Sequence, residues 1–187
     1  NYLALRADNR IWFGAKGNNV PRIKTFLSEV QKGTVCKTIW YRTEVGDTQE
    51  GTRDLKSVFG KAGMFTNPKP IRLINRILDI ASKNNSIVLD FFAGSGTTGH
   101  ALLKYNAEHA DSKRQFILCT NNENDICRNV TYERIKRVIA NEGYNASLKY
   151  FRVGYISITD RMYYEYADEL LLHVRELVEL ENGINFT

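Results

Sequence analysis

No apolar run in the 187 residues approaches the ~18 that a membrane-spanning helix needs, so no such helix is expected among them. The first residues, Asn-Tyr-Leu-Ala-Leu-Arg, carry neither a basic segment nor a long apolar stretch, so no secretory signal is read there. They also lack an initiating Met, and the chain is read as a piece cut from a longer protein. Cysteine is scarce: Cys36, Cys119 and Cys127 lie far apart, with no Cys-x-x-Cys and no Cys/His cluster. That spacing argues against a zinc site or a disulfide framework and for reduced thiols in a cytoplasmic protein; no metal is expected. Internal repeats and low-complexity segments are missing as well. Proline occurs only at positions 21, 68 and 70, and no two prolines are adjacent.

What remains has the composition of an ordinary globular protein, 43% apolar and 25% charged, large enough for a core in one or two domains. The net charge of +5 is unevenly spread: residues 1–65 hold 11 Lys and Arg against 6 Asp and Glu, whereas residues 157–187 hold 2 against 7. A basic front part suits a polyanion such as DNA; an acidic tail does not.

The most informative segment is Asp90-Phe-Phe-Ala-Gly-Ser-Gly-Thr-Thr98. It follows the apolar run Ser86-Ile-Val-Leu89 and leads into the helix-like Gly99-His-Ala-Leu-Leu-Lys-Tyr105. Strand, glycine turn and helix, with an acid at the strand's end, make an element that binds a cofactor carrying ribose and adenine. The glycines let backbone approach the ligand, and free amides at the helix start welcome a negative group. A nucleoside triphosphate loop needs a lysine after its glycines, but His100 follows Gly99. Gly94-x-Gly96-x-x-Gly99 fits a dinucleotide fingerprint, and Asp90 ahead of the glycines fits S-adenosylmethionine; the loop alone leaves both open.

The same nine residues resemble motif I of the β-group amino-methyltransferases that modify DNA, which read Asp-x-Phe-x-Gly-Ser-Gly-Thr-Thr. Phe65-Thr-Asn-Pro-Lys-Pro70, followed by Ile71-Arg-Leu-Ile-Asn-Arg-Ile-Leu78, resembles the family's motif X, which directly precedes motif I in this group. Thr38-Ile-Trp-Tyr41 through Gly46-Asp-Thr-Gln-Glu50 resembles the segment before motif X in the methylating subunits of type III restriction-modification systems. Gln115-Phe-Ile-Leu-Cys-Thr-Asn-Asn-Glu-Asn124 resembles their second cofactor strand. The resemblance implies an α/β fold with a partial Rossmann-like methyltransferase sheet and S-adenosylmethionine as cofactor. It implies transfer of the methyl group to N6 of an adenine flipped out of double-stranded DNA, with N4 of cytosine as the alternative. A restriction subunit and a second methylating subunit are the partners it implies for the full-length protein. Readings from other classes are a nicotinamide-binding oxidoreductase and a binding module without catalysis.

By the same resemblance Asp90 lies near the methionine end of the cofactor, where it can take the ammonium group. Phe92 flanks the cofactor while Phe91 enters the core. Gly94 and Gly96 make the turn, and Ser95, Thr97 and Thr98 cap the helix or reach the ligand. Phe65, Thr66, Lys69 and Pro70 lie beside the cofactor's carboxylate and methionine chain. The second strand ends in Thr120-Asn-Asn122 where relatives place an acid for the ribose hydroxyls. Either Glu123 reaches back or an amide such as that of Asn121 serves instead. Amino-methyltransferases of DNA grip the target base with Asp/Asn/Ser-Pro-Pro-Tyr/Phe, whose aromatic ring stacks on the flipped base. Without adjacent prolines that motif is absent, so no catalytic residue is expected in this chain.

Three regions follow. Residues 1–64 are the end of a recognition region, with Arg42, Arg53 and Lys56 as DNA contacts; 65–156 are the cofactor-binding half; 157–187 are a helical extension. Residues 1–14 alternate as a hairpin would, turning at Asp8-Asn-Arg10, and 20–30 read as a short helix or irregular structure. Residues 43–53 read as loop, helical pattern resumes at 54–59, and a helix follows at 70–83. Strands at 87–92, 116–120 and 148–153 with helices at 98–109 and 125–141 predict a parallel βαβαβ unit. Ile126, Val130, Ile135, Val138 and Ile139 mark the buried face of the last helix. The tail predicts a helix at 160–182 with a stripe of Tyr163, Tyr166, Leu170, Val174 and Leu177, packed on its own domain or on a partner.

Overall fold

The computed structural model describes residues 2–30, 33–155 and 163–183, without side chains for 163–165. The N-terminal end is a helix, α1 (Tyr2–Ala7), rather than a strand. Leu, Ala and Arg favour helix, and Asn9, left-handed at φ 53°, stops it. The hairpin forms one step later: β1 (Ile11–Trp12) pairs antiparallel with β2 (Arg22–Ile23) across the left-handed Gly14 and Gly17. Residues 20–30, read as a short helix or irregular structure, hold the two-residue β2 and a single 3-10 turn, Leu27–Glu29.

Residues 43–53 are not loop. A short helix, α2 (Arg42–Val45), precedes α3 (Thr48–Phe59), whose first turn is capped by Asp47 accepting from the Glu50 amide at 2.9 Å. Gly51 sits inside α3 because a Cβ there would collide with the Pro68 carbonyl, so α3 lies directly against the backbone of 68–69. The helix α4 (Ile71–Ala81) starts after Pro70 and is tied to α3 by the bidentate Arg72–Glu50 pair, 2.7 Å on each arm.

Next come β3 (Ile87–Asp90), α5 (Thr97–Glu108) and β4 (Gln115–Leu118). The strands are parallel, Asp90 opposite Leu118. The chain then turns through Glu123–Asp125 and a π-helical stretch, Cys127–Tyr132, into α6 (Glu133–Glu142). Among the described residues the unit is βαβ, not βαβαβ: 148–153 has strand-like composition but no partner strand to supply a ladder, and only Leu148 packs on the core. The tail is two helices, α7 (Tyr163–Leu172) and α8 (Val174–Asn182), broken at His173; residues 160–162 of the expected helix lie outside the described residues. Of its expected stripe, the Tyr163 side chain lies outside the described residues and Tyr166 is half-buried. Leu170, Val174 and Leu177 are exposed, and α8 is anchored instead by the buried Glu179, paired with Lys149 and Arg175.

The core centres on α5. Leu102 and Tyr105 pack with Leu78 of α4, and Leu103 packs with Ile135 and Val138 of α6. Val88, Phe116 and Leu118 cover the inner face of the two strands. Their outer face, Ile87, Leu89 and Ile117, is 49–63% exposed. No described helix is long and apolar enough to cross a membrane.

Candidate cofactor site

The site forms at the carboxyl ends of β3 and β4, where parallel α/β sheets take ligands. After Asp90 the chain crosses to α5 through Gly94 and Gly96, both left-handed at φ 50° and 72°. Neither has space for a side chain. A Cβ on Gly94 would stand 2.9 Å from the Phe65 ring, and one on Gly96 would stand 3.2 Å from the Thr131 carbonyl oxygen. Gly99, inside α5, allows close packing, since a Cβ there would meet Ile135 at 2.8 Å and Leu118 at 3.0 Å.

Asp90 closes the turn on itself: one carboxylate oxygen accepts from the Phe92 amide at 3.0 Å, the other from the Thr98 hydroxyl at 2.6 Å. It is half-buried and keeps lone pairs for a further donor. Thr97 and Thr98 occupy the first turn of α5, where backbone amides have no acceptor within the helix. Ser95 and Thr97 are 4% exposed, and their hydroxyls are turned inward, 3.1 Å apart. One expectation is corrected here. Phe91 does not enter the core: both rings lie on the surface, Phe91 63% and Phe92 92% exposed, because Ala93 and Phe65 fill the space under the turn.

The 65–70 loop lies alongside. Phe65 is half-buried against Leu55, Phe59 and Val130, with its ring edge on Gly94. Pro68 and Pro70 are buried, whereas Thr66 and Lys69 are exposed. The Thr97 hydroxyl donates to the Lys69 carbonyl at 3.2 Å, which joins the two loops directly. At the end of β4, Thr120 is half-buried and Asn121 and Glu123 are exposed. Glu123 folds back: its carboxylate accepts from the Asn121 side chain at 3.4 Å, and its amide donates to the Asn121 side-chain oxygen at 3.3 Å. A carboxylate and an amide thus share the position expected for ribose recognition.

Arg42, Arg53 and Lys56 are carried by α2 and α3. Arg42 opens α2, 3.8 Å from Asp47, and Arg53 and Lys56 are exposed on α3. Motif reading missed three residues that hold the turn. The Thr131 hydroxyl donates to the Gly94 carbonyl at 2.6 Å. Arg134, fully buried in α6, donates to Ser95, Thr97 and His100. His100, in α5, stands 3.3 Å from Glu142, and burial with the nearby Arg134 charge pushes it down to about 4. The signal for Arg134 was available: positions 130, 134 and 138 share one helical face, and Val130 and Val138 are buried on it.

A model of a family described as DNA methylase matches residues 6–166. The type III restriction-modification enzyme StyLTI Mod subunit of Salmonella typhimurium LT2 is 35% identical over 152 residues, 75% of this chain and 22% of that protein. The EcoPI Mod subunit of Escherichia phage P1 is 44% identical over 87 residues, 46% of this chain and 13% of its own length. The type II methyltransferase M.KpnI of Klebsiella pneumoniae is 32% identical over 117 residues, 62% of this chain and 27% of its own length. The chain therefore spans about a quarter or less of the length of each of these relatives.

Proposed function

The chain belongs to the DNA methylase family, and from this premise we propose that it is the S-adenosylmethionine-binding part of the methylating subunit of a type III restriction-modification system. The observation that carries the reading is the joining of two loops, by the Thr97–Lys69 hydrogen bond and the Phe65–Gly94 contact. An amino-acid end has one ammonium and one carboxylate, and the joined loops offer a complement to each. Asp90 would take the ammonium; Lys69 and the open amides of Thr97 and Thr98 would take the carboxylate. Phe92 would flank the adenosine, and Asn121 with Glu123 would take the ribose hydroxyls. When bound, S-adenosylmethionine supplies a methyl group on a positively charged sulfur, and these residues bind and orient it.

In this reading β3, α5 and β4 belong to a Rossmann-like methyltransferase sheet. The apolar outer face of Ile87, Leu89 and Ile117 supports a further layer, since parallel strands are normally covered on both sides. Residues 1–64 would end a recognition region, 65–156 form the cofactor half, and 157–187 extend it. The gripping Pro-Pro motif is absent from this sequence. Transfer to adenine N6 in double-stranded DNA, and assembly with a restriction subunit and a second methylating subunit, therefore belong to the full-length cytoplasmic protein. Photolabelling with methyl-tritiated S-adenosylmethionine and peptide mapping tests the site. Label is expected in the peptides holding residues 65–70 or 90–98, and S-adenosylhomocysteine, but not NAD, should suppress it. Label confined to other peptides would refute the assignment.

A further inference from the structure

Under the glycine turn lies a charge that the cofactor motifs do not explain. Arg134 is 0% exposed. Its Nη1 donates to the Ser95 carbonyl at 3.1 Å, the Ser95 hydroxyl at 3.3 Å and the Thr97 hydroxyl at 2.9 Å. Its Nε donates to His100 Nδ1 at 3.3 Å. These acceptors are neutral: the low pKa of His100 keeps its ring uncharged, so Nδ1 can accept. Nη2 is buried without a hydrogen-bond partner.

For fold stability alone this arrangement is poor. Burying a guanidinium costs desolvation, and neutral acceptors with an unused donor repay only part of it. An apolar side chain of similar length would fill the same space between α5 and α6 without that desolvation cost, while leaving His100 Nδ1 and the Ser95 carbonyl without this donor. What an apolar side chain cannot do is hold Ser95, Thr97 and His100 together from below. The hold reaches further, because the Thr97 hydroxyl that accepts from Arg134 donates to the Lys69 carbonyl. One guanidinium is thus linked, through one hydroxyl, to both loops.

We propose that Arg134 is a positioning residue for the cofactor. Acting through Ser95 and Thr97, it holds the turn after β3 and the 65–70 loop in the spacing that takes the amino-acid end of the ligand, without touching the ligand itself. This rests on the cofactor reading above. The ligand would meet the outer side of the loops, where Asp90 and Lys69 lie, while Arg134 sets their geometry from the inner side. An Arg suits this better than a Lys, because its planar fork reaches His100 and the Ser95–Thr97 pair at once.

The test titrates S-adenosylhomocysteine calorimetrically into the wild-type chain, Arg134→Met, Arg134→Lys and Thr97→Val, with a melting temperature for each. Arg134→Met should weaken binding about tenfold or more, the loss expected for hydrogen bonds to a charged group. Its melting temperature should fall by only a few degrees, because the relieved desolvation cost offsets much of what is lost at the acceptors left on Ser95, Thr97 and His100. Arg134→Lys keeps the charge and one donor direction and should recover part of the affinity. Thr97→Val removes the shared hydroxyl and should weaken binding although Arg134 is intact; it decides the matter should Arg134→Met not fold. Wild-type affinity in both Arg134→Met and Thr97→Val would overturn the positioning role alone. So would a loss in Arg134→Met that follows its melting temperature, with Thr97→Val unaffected. A wild-type chain that binds no S-adenosylhomocysteine would overturn the cofactor reading itself.

Discussion

Replacing Gly51 by Ala tests how the 65–70 loop is supported. In an exposed helix this exchange stabilises by about 1 kcal/mol, since glycine is a poor helix former. The opposite is expected here. A Cβ at 51 would collide with the Pro68 carbonyl oxygen and stand 2.8 Å from the Lys69 carbonyl carbon, and both are backbone. Carbon contacts relax at about 3.5 Å or more, so the loop must retreat by more than half an ångström or α3 must lift. Overpacking of this kind costs roughly 1–3 kcal/mol, which outweighs the propensity gain and leaves a net loss of up to about 2 kcal/mol. At this chain length that lowers the melting temperature by several degrees, at about 2–4 °C per kcal/mol. Retreat of 68–69 would also stretch the Thr97–Lys69 hydrogen bond, 3.2 Å at present, so cofactor affinity should fall with stability. Circular dichroism melts would decide it, with Thr52→Ala on the exposed side of α3 as a control expected to be neutral or slightly stabilising. A Gly51→Ala protein as stable as wild type would mean that the loop does not rest on α3 as described.

Other outcomes follow from the same geometry. His100 is pushed down to about 4 by burial and by Arg134, with Lys104 adding to this and Glu142 opposing it, so it takes up its proton less readily folded than unfolded. Its contribution is constant above the unfolded value near 6.5 and falls as pH drops from there toward 4, by at most on the order of 3 kcal/mol. Urea melts across that range should show the slope, and His100→Gln should flatten it; an unchanged slope would rule out His100 as its source. DNA binding by the chain should be weak and strongly salt-dependent, and neutralising Arg42, Arg53 and Lys56 together should lower the salt slope by roughly one unit per lost phosphate contact. An unchanged slope in filter binding would mean these side chains do not face DNA. The isolated chain should transfer no methyl group to duplex DNA, lacking the paired-proline motif; turnover by the pure protein in a radioactive assay would contradict this.

The turn at 90–98 was legible because its determinants are local: glycine spacing, an apolar run before it and helical period after it. The helices α4 and α5 begin within one residue of the positions read from sequence. Elements that depend on distant partners were not legible. The stretch 148–153 has the aromatic and branched residues of a strand, but no strand forms without a neighbour to pair with. Alternation in residues 2–7 looked extended, while the local preference of Leu, Ala and Arg prevailed. In 43–53 the threonines and Gly51 suggested loop, although Asp47 three residues before Glu50 was a capping signal. Gly51 itself is explained by the backbone of Pro68 and Lys69, seventeen and eighteen positions away. At the site, the direction each side chain takes was not legible in the sequence. Ser95 and Thr97 face Arg134, and Phe91 faces outward, because the side of the turn that is buried depends on α6.

Binding of S-adenosylmethionine by the joined loops, with Asp90 as the ammonium partner, is open to direct measurement. Calorimetric titration of S-adenosylmethionine, S-adenosylhomocysteine and NAD into the wild-type chain and Asp90→Ala measures it most directly. The first two should bind the wild type weakly and NAD not at all, and Asp90→Ala should abolish binding while remaining folded by circular dichroism. Equal affinity in wild type and Asp90→Ala, or preferential binding of NAD, would contradict the account.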